Sequence, residues 1–161
     1  MLIPSDSHAF REAVLLFPIA QALHVLEEWP GFPRWARRFA SRDYTDREYV
    51  TTHVLALAVA LVASMFVRAV PTPSVVFVFF AFVFGPGILC NAFFHAAGTI
   101  ASRTYCPGLL TGVFLYVPLS ALLVVITVHT QVLSVRMVLL ALLIAAMFHT
   151  IEVGHNVFKR W

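Results

Sequence analysis

Apolar residues in this chain occur in five long runs, separated by short stretches rich in Pro, Gly and charged residues. A helix needs about 20 residues to cross the hydrocarbon core of a membrane, and each run reaches that length. The runs are continuous, whereas membrane-spanning strands alternate in polarity. The pattern predicts an all-α integral membrane bundle of five transmembrane helices in a single transmembrane domain, residues 1–161. The spans are predicted at residues 9–29, 49–70, 74–101, 108–130 and 136–157.

A short amphipathic segment follows the first span. Pro30 and Pro33 stop the first helix, because proline lacks a backbone donor and disrupts a helix interior. The arginines and the aromatic residues that follow recur on opposite sides at helical spacing: Arg34, Arg37 and Arg38 against Phe32, Trp35 and Phe39. This pattern predicts a short interfacial helix over residues 32–42, lying among the lipid headgroups. The alternative is a solvated loop.

The composition agrees with a membrane protein. Hydrophobic residues make up 60% of the chain and charged residues 12%, and the mean hydropathy is +0.86. In soluble domains, hydrophobic residues average about 45–50% and charged residues about 25%. The net charge of +3 comes mostly from arginines that flank the apolar runs. It therefore indicates membrane topology rather than a nucleic-acid surface, and no nucleic-acid partner is expected.

The distribution of basic residues predicts the orientation. Eight basic residues follow the first, third and fifth spans, and three lie at the opposite ends, at Arg11, Arg68 and Arg136. Lys and Arg are enriched on the cytoplasmic side of membrane proteins. We therefore expect an inner-membrane or plasma-membrane protein with its N-terminus outside and its C-terminus in the cytoplasm.

Side chains that commonly bind metals lie inside the predicted spans. Their positions along the helices place them at a common depth, about 6–15 Å from the predicted cytoplasmic ends of the spans. The other two histidines, His8 and His129, belong to the opposite end. The candidate ligands are His24, Glu27, Glu28, His53, Asn91, His95, His149, Glu152 and His155.

Carboxylates inside a bilayer require compensation. Each costs about 2.5–3.5 kcal/mol at mid-membrane, even on the lenient insertion scale, and no Lys or Arg is expected at this depth. Either the carboxylates share protons with the imidazoles, or cations bind between them. Histidine and carboxylate together suit a divalent transition metal, iron or zinc, and the Glu152–His155 spacing is the ExxH pattern of dinuclear helical bundles. The number of candidates favours two ions. Glu28, nearly in line with His24, is preferred over Glu27 as a ligand.

Smaller polar groups near the candidate ligands are expected to orient them. Gln21 lies one turn before His24, and Thr99 and Tyr105 follow His95. Each of them is also explained by packing or capping alone.

The ordered motifs resemble a known family. HVLEE (24–28), followed by WPGFP, NAFFH (91–95), YCPG (105–108) and FHTIEVGH (148–155), is similar to the HXXEE domain family of small multi-pass membrane proteins. The resemblance implies that the candidate ligands form one group. His53 is not part of these motifs and is a candidate only because of its predicted depth in the membrane. It implies no reaction.

These features lead to a functional hypothesis. The chain is expected to be a membrane-embedded, dinuclear metalloenzyme acting on a lipid or other hydrophobic substrate, with oxidation slightly favoured and an electron donor then required. The alternative is a zinc-dependent hydrolase in which Glu27 or Glu28 is the general base. A metal-free His/Glu isomerase and a metal-ion or proton transporter are further alternatives. The oligomeric state is open, and a homo-oligomer is compatible with the sequence.

Overall fold

The regular structure of the described residues is entirely helical, as predicted. The computed structural model describes residues 7–158, with side chains described for residues 8–151 and for Val153. The described part of the chain contains six helices: α1 His8–Glu28, α2 Gly31–Phe39, α3 Asp46–Ala69, α4 Pro73–Ser102, α5 Leu109–His129 and α6 Val135–Phe158. A turn at Val14 and Leu15 interrupts α1. Five of the helices match the predicted spans in position, and α2 matches the predicted interfacial segment.

Four of these helices, α1, α3, α4 and α5, are long and apolar enough to cross a membrane. In α6 the described apolar stretch, Val135–Ile151, is shorter. Large apolar side chains on the outside of the bundle remain exposed, including Leu26 at 72% and Ile100 at 77%. An apolar exterior on apolar helices is what lipid contact requires, and it accords with an integral membrane protein.

Local sequence signals explain where the helices begin. Thr45 caps α3 through a capping box, in which its side chain accepts from the Glu48 backbone N–H while the Glu48 carboxylate accepts from the Thr45 backbone N–H. Thr72 accepts from the Val75 N–H at the start of α4, and Pro73 follows at the first helical position. Proline suits that position because its missing donor would have no partner there.

Two helices contain π-helical segments. Residues Phe80–Cys90 of α4 and Gly112–Tyr116 of α5 are wound in this wider form. Pro86 lies inside the first segment and has no N–H to donate. The first segment ends directly before Asn91, and the second ends at Tyr116, whose ring lies against His24. π-Helical turns are often found beside functional sites.

Aromatic residues fill the apolar half of the core. Phe17 of α1 meets Phe79 and Phe84 of α4 edge to face, with ring centroids 5.8 and 5.7 Å apart. All three side chains are buried, as is Leu123 of α5. Such edge-to-face pairs add about 0.5–1.5 kcal/mol each beyond the burial of their area. The packing holds α1 against α4, the two helices that supply the polar centre.

Helices α4 and α6 approach each other closely at Gly85. A Cβ atom added there would lie 2.5 Å from the Ala145 Cβ and 2.5 Å from the Phe80 carbonyl oxygen. At Gly87, two residues further on, the nearest atom to an added Cβ is the Phe17 Cζ at 3.5 Å, an ordinary contact. Only Gly85 is therefore required by the packing of α6.

Substituting alanine at these two glycines is expected to have opposite effects. Gly85→Ala should destabilise the protein by about 1–3 kcal/mol, because an overpacked core must shift its backbone. Gly87→Ala should be neutral or slightly stabilising, because alanine is the better helix former. Thermal unfolding of the two variants in the same detergent measures the difference. Equal unfolding temperatures would show that α4 and α6 do not pack through Gly85.

Candidate metal centre

Two imidazoles and one carboxylate meet near the C-terminal ends of α1 and α4. The Glu28 Oε1 atom lies 3.1 Å from the His95 Nε2 atom and 3.5 Å from the His24 Nε2 atom. One ligand atom from each of the three residues lies within 4.8 Å of the other two. All three side chains are buried, with at most 1% of their surface exposed. We call His24, Glu28 and His95 the triad.

The second oxygen of Glu28 is held by α3. His53 Nε2 lies 2.8 Å from Glu28 Oε2, and the Tyr49 hydroxyl donates to the same oxygen at 3.1 Å. The side chains of Tyr49 and His53 stack, with ring centroids 3.9 Å apart. Among the described residues, Glu28 has histidine partners but no Lys or Arg partner. Its negative charge is therefore balanced by groups that bind protons or cations.

The hydrogen bonds of His53 determine where its protons lie. Its Nδ1 is 2.8 Å from the Tyr49 carbonyl oxygen, which only accepts, so Nδ1 carries a hydrogen. Its Nε2 faces a carboxylate oxygen at hydrogen-bond distance, so a second proton lies between His53 and Glu28. His53 thus balances the charge at Oε2 of Glu28. The other oxygen, Oε1, faces the two imidazoles of the triad.

The tautomer of His24 follows from a hydrogen-bond chain through Thr111. The Thr111 hydroxyl donates its single hydrogen to Glu27 Oε2, so it accepts at the 2.6 Å contact with His24 Nδ1. His24 Nδ1 is therefore protonated and Nε2 carries a lone pair. That lone pair is on the atom closest to Glu28.

His95 has a thiol behind it. Its Nδ1 lies 3.3 Å from the Cys106 Sγ atom, and the Cys106 backbone N–H donates to the Thr99 hydroxyl at 3.1 Å. Burial, with the nearby negative charge of Glu28, raises the pKa of the Cys106 thiol to about 12. The sulfur is therefore a neutral thiol at pH 7, and it acts as a hydrogen-bond partner that orients the imidazole.

Glu27 lies on a different side of α1 from Glu28, and its carboxylate contacts the chain segment that connects α4 to α5. Its carboxylate accepts from three backbone N–H groups, those of Gly108 at 3.0 Å, Leu110 at 3.0 Å and Thr111 at 2.6 Å. The Tyr105 hydroxyl also donates to it. Burial and this bond to Glu27 raise the pKa of Tyr105 to about 12, so it stays a donor at neutral pH. We call residues 105–111, which include the first turn of α5, the closing loop.

The closing loop packs directly on the triad at Gly108. The φ angle of Gly108 is +101°, in the left-handed region that favours glycine. A Cβ atom there would lie 2.5 Å from the His95 Cε1 and 2.8 Å from the His24 Cε1. The backbone of Gly108 thus covers both imidazole rings. The Tyr116 ring lies against His24, 4.5 Å between centroids, and its hydroxyl donates to Gln21 at 3.0 Å.

The triad contains two nitrogen atoms without a hydrogen bond. The Nε2 atoms of His24 and His95 are buried and make no hydrogen bond of acceptable geometry in the described part of the chain, although both lie near Glu28. Buried polar atoms rarely lack a partner. His24 Nδ1 already carries the hydrogen that it donates to Thr111. A second hydrogen, on Nε2 and shared with Glu28, would therefore make the His24 ring positively charged. A cation between the three atoms satisfies all of them.

The predicted ligands therefore divide into groups. The structure brings His24, Glu28 and His95 together and places His53 on Glu28. Glu27 does not join them, because the backbone donors of the closing loop occupy its carboxylate. Asn91 and His149 line the cavities beside His53, and the Asn91 Oδ1 atom is buried without a hydrogen-bond partner among the described residues. The side chains of Glu152 and His155 lie outside the described residues.

Several residues of the centre were not predicted from the sequence. Tyr49, Thr111 and Cys106 act on the triad through hydrogen bonds or charge, and Gly108 by close packing. The signal for Gly108 is present in the sequence: a Pro-Gly pair between two apolar runs predicts a turn, often with a positive φ. Thr111 and Tyr49 carry no such signal, because isolated Thr and Tyr residues are ordinary at the ends of membrane helices.

Comparison with known proteins places the chain in a family. Residues 15–123 match the model described as a protein of unknown function with HXXEE motif, and the chain belongs to this family. The match includes the triad, His53 and the closing loop. It ends before α6, so the FHTIEVGH segment lies outside it.

A curated relative has a similar length. The chain is 25% identical over 113 residues to the uncharacterized protein YrkK of Bacillus subtilis (strain 168), covering 69% of this chain and 72% of the relative. No solved structure matches the chain.

Replacing Glu27 tests its structural role. Glu27→Ala should loosen the closing loop, because hydrogen bonds to a charged acceptor contribute about 1.5–3 kcal/mol each. Hydrogen–deuterium exchange of the backbone amides at 108, 110 and 111 should speed up at least about tenfold. Glu12→Ala, which removes an exposed carboxylate paired with Arg68 at 3.0 Å, is the control and should leave these amides protected. Unchanged protection in Glu27→Ala would show that the carboxylate does not hold the loop.

Gly108→Ala tests the cover over the imidazoles. The new methyl group would overlap both rings and strain the backbone, so the triad must open. Nuclear magnetic resonance of labelled histidines should show shifted imidazole signals for His24 and His95 but an unchanged signal for His129. Unchanged signals for all three would contradict the close packing of Gly108.

Proposed function

We propose that this protein is a membrane-embedded, metal-dependent enzyme whose ion is held by His24, Glu28 and His95. The observation that carries the proposal is the convergence of two buried imidazole Nε2 atoms on one carboxylate oxygen without hydrogen bonds between them. In an apolar interior such a group of electron-pair donors is stable only around a cation or with added protons.

The distances suit a metal ion. Zinc binds imidazole nitrogen and carboxylate oxygen at about 2.0–2.2 Å, which places two ligands of a tetrahedral site about 3.3 Å apart. The observed separations from Glu28 Oε1 are 3.1 and 3.5 Å. The surrounding groups also match a metal site: both imidazoles have a partner on Nδ1, and the carboxylate is held by Tyr49 and His53.

Three protein ligands leave room for a reacting molecule. Structural zinc sites are closed by four ligands, whereas catalytic sites keep a position open. A set of two histidines and one carboxylate is common to zinc hydrolases and to non-haem iron oxygenases. The triad therefore supports catalysis better than a purely structural ion.

An adjoining cavity supports a hydrophobic substrate. A cavity of about 190 Å³, which we call the triad cavity, reaches Glu28, His53 and His95. Its other walls combine apolar residues, among them Phe32, Ala36 and Phe94, with the polar residues Ser41, Tyr44, Thr52, Asn91 and His149. A mostly apolar surface with a limited number of polar groups is typical of binding sites for hydrophobic molecules.

Oxidation remains the favoured reaction class. The hydrolase alternative used Glu27 or Glu28 as the general base, but the closing loop occupies Glu27 and the triad occupies Glu28. Iron in this ligand set would supply oxygen-dependent oxidation of an apolar substrate, with an external electron donor. A metal-free His/Glu isomerase is the second candidate, because His53 and Glu28 already share a proton.

The described residues contain ligands for one ion. A second ion remains a proposal that depends on His149, Glu152 and His155, because the last two side chains lie outside the described residues. His149 faces both the triad cavity and a larger cavity of about 420 Å³.

The full membrane topology is also proposed. We infer five spans, with α6 as the fifth and α2 in the headgroup layer. The N-terminus lies outside and the C-terminus in the cytoplasm of an inner or plasma membrane. The charge asymmetry supports this orientation, although Lys159 and Arg160 lie outside the described residues.

Metal analysis of variants tests the centre. Protein purified without chelator should contain about one equivalent of iron or zinc, and His24→Ala, Glu28→Gln and His95→Ala should each lose at least about tenfold in metal affinity. His129→Ala, at the far end of α5, is the control and should keep the metal. Iron would support oxidation and zinc hydrolysis.

The same samples also test the alternative. Less than about 0.2 equivalents of metal in the wild type, after refilling with iron and with zinc, would contradict a metal centre. Retention of metal in both histidine variants would contradict the ligand assignment.

A further inference from the structure

Helix α2 has two faces that meet different environments. Phe32 and Ala36 of α2, and Ala40 directly after its end, recur every four residues and line the triad cavity together with Glu28 and His95. Arg34 and Arg38 each follow a cavity residue by two positions, which is about 200° around a helix. Both arginines are exposed. The helix therefore forms a wall of the cavity on one face and carries positive charge on the other.

The arginines on and after α2 differ in their partners. Arg37 pairs with Asp46 at 2.8 Å and donates to the Tyr44 carbonyl oxygen. Arg34, Arg38 and the nearby Arg42 form no ion pair with any described residue, and Arg38 lies over the Phe39 ring at 4.9 Å. Guanidinium groups bind phosphate oxygens with two parallel hydrogen bonds, so unpaired arginines at a membrane surface suit an anionic headgroup.

We propose that α2 recognises an anionic membrane lipid, whose headgroup binds Arg34 and Arg38 while an acyl chain enters the triad cavity. The inference rests on the proposed function and specifies its substrate class: an amphiphile with an anionic headgroup and an apolar chain that ends near the metal ligands. A single short helix, α2, carries the arginines that would bind the headgroup and also forms part of the wall of the cavity that would take the acyl chain.

The cavity chemistry agrees with this substrate. Most of the surface of the triad cavity is apolar, including the parts contributed by Phe32, Ala36 and Phe94. In the described part of the chain, the lining of the cavity contains no Lys or Arg, whereas Arg34 and Arg38 are exposed on α2. The headgroup therefore stays outside, on the arginine face, and the apolar chain enters.

Lipid binding by the purified full-length protein tests the proposal. Native mass spectrometry in detergent compares phosphatidylglycerol with phosphatidylcholine of the same acyl chains. The wild type should bind phosphatidylglycerol more tightly, and Arg34→Gln/Arg38→Gln should weaken that binding about 25-fold, since each arginine near a membrane surface contributes about fivefold. Arg68→Gln/Arg136→Gln removes the same charge at the opposite ends of the helices and should bind as the wild type does.

A second variant tests the cavity. Ala40→Phe fills the α2 wall without changing charge, and it should remove the tightly bound lipid although both arginines remain. Equal phosphatidylglycerol binding in the wild type and the Arg34→Gln/Arg38→Gln variant would overturn the proposal, as would unchanged binding in Ala40→Phe. Displacement of the lipid by millimolar inorganic phosphate would also overturn it, because the ligand would then be the ion and not the amphiphile.

Metal content measured on the same samples separates the two proposals. Wild-type protein that holds its full metal content but does not prefer phosphatidylglycerol would refute the lipid inference alone. A selective lipid site in protein that binds no metal would refute the metal centre, and with it the assignment of the lipid as substrate.

Discussion

The buried carboxylate of Glu28 is the constraint on which the polar centre depends. An anion in an apolar interior requires a proton, a counter-charge or a metal ion nearby. Glu28 has histidines on both oxygens and no Lys or Arg partner among the described residues. His53 and Tyr49 satisfy one oxygen. The other faces two imidazole nitrogens that lack hydrogen bonds, and a cation there would satisfy the carboxylate and both imidazoles at once.

A second carboxylate keeps this arrangement in place. Glu27 is adjacent in sequence, but its carboxylate binds the closing loop, where it accepts hydrogen bonds from three backbone N–H groups. That loop places Thr111 behind His24, Cys106 behind His95 and Gly108 over both rings. The two glutamates of the HXXEE motif therefore have different tasks: Glu28 belongs to the triad, and Glu27 positions the groups that orient it.

The sequence was sufficient to predict the helices and part of the centre. Long apolar runs have one solution in a membrane, so the helices lie where the runs lie. The four-residue spacing of His24 and Glu28 puts them on one helix face, and helical rise puts His53 and His95 at the same depth. The structure places the Glu27 carboxylate on backbone donors 81 to 84 residues further along the chain, and no side-chain pattern reveals such partners. The π-helical turns were not predicted, because a continuous apolar run carries no periodicity that would reveal a change in helix winding.

X-ray absorption spectroscopy of the purified protein at the metal edge tests the central claim most directly. The proposed centre predicts a first shell of nitrogen and oxygen atoms at about 2.0–2.2 Å, with the outer-shell scattering of two imidazole rings. A sulfur neighbour at about 2.3 Å would instead place Cys106 on the metal and contradict the triad. A shell without imidazole scattering would contradict it as well.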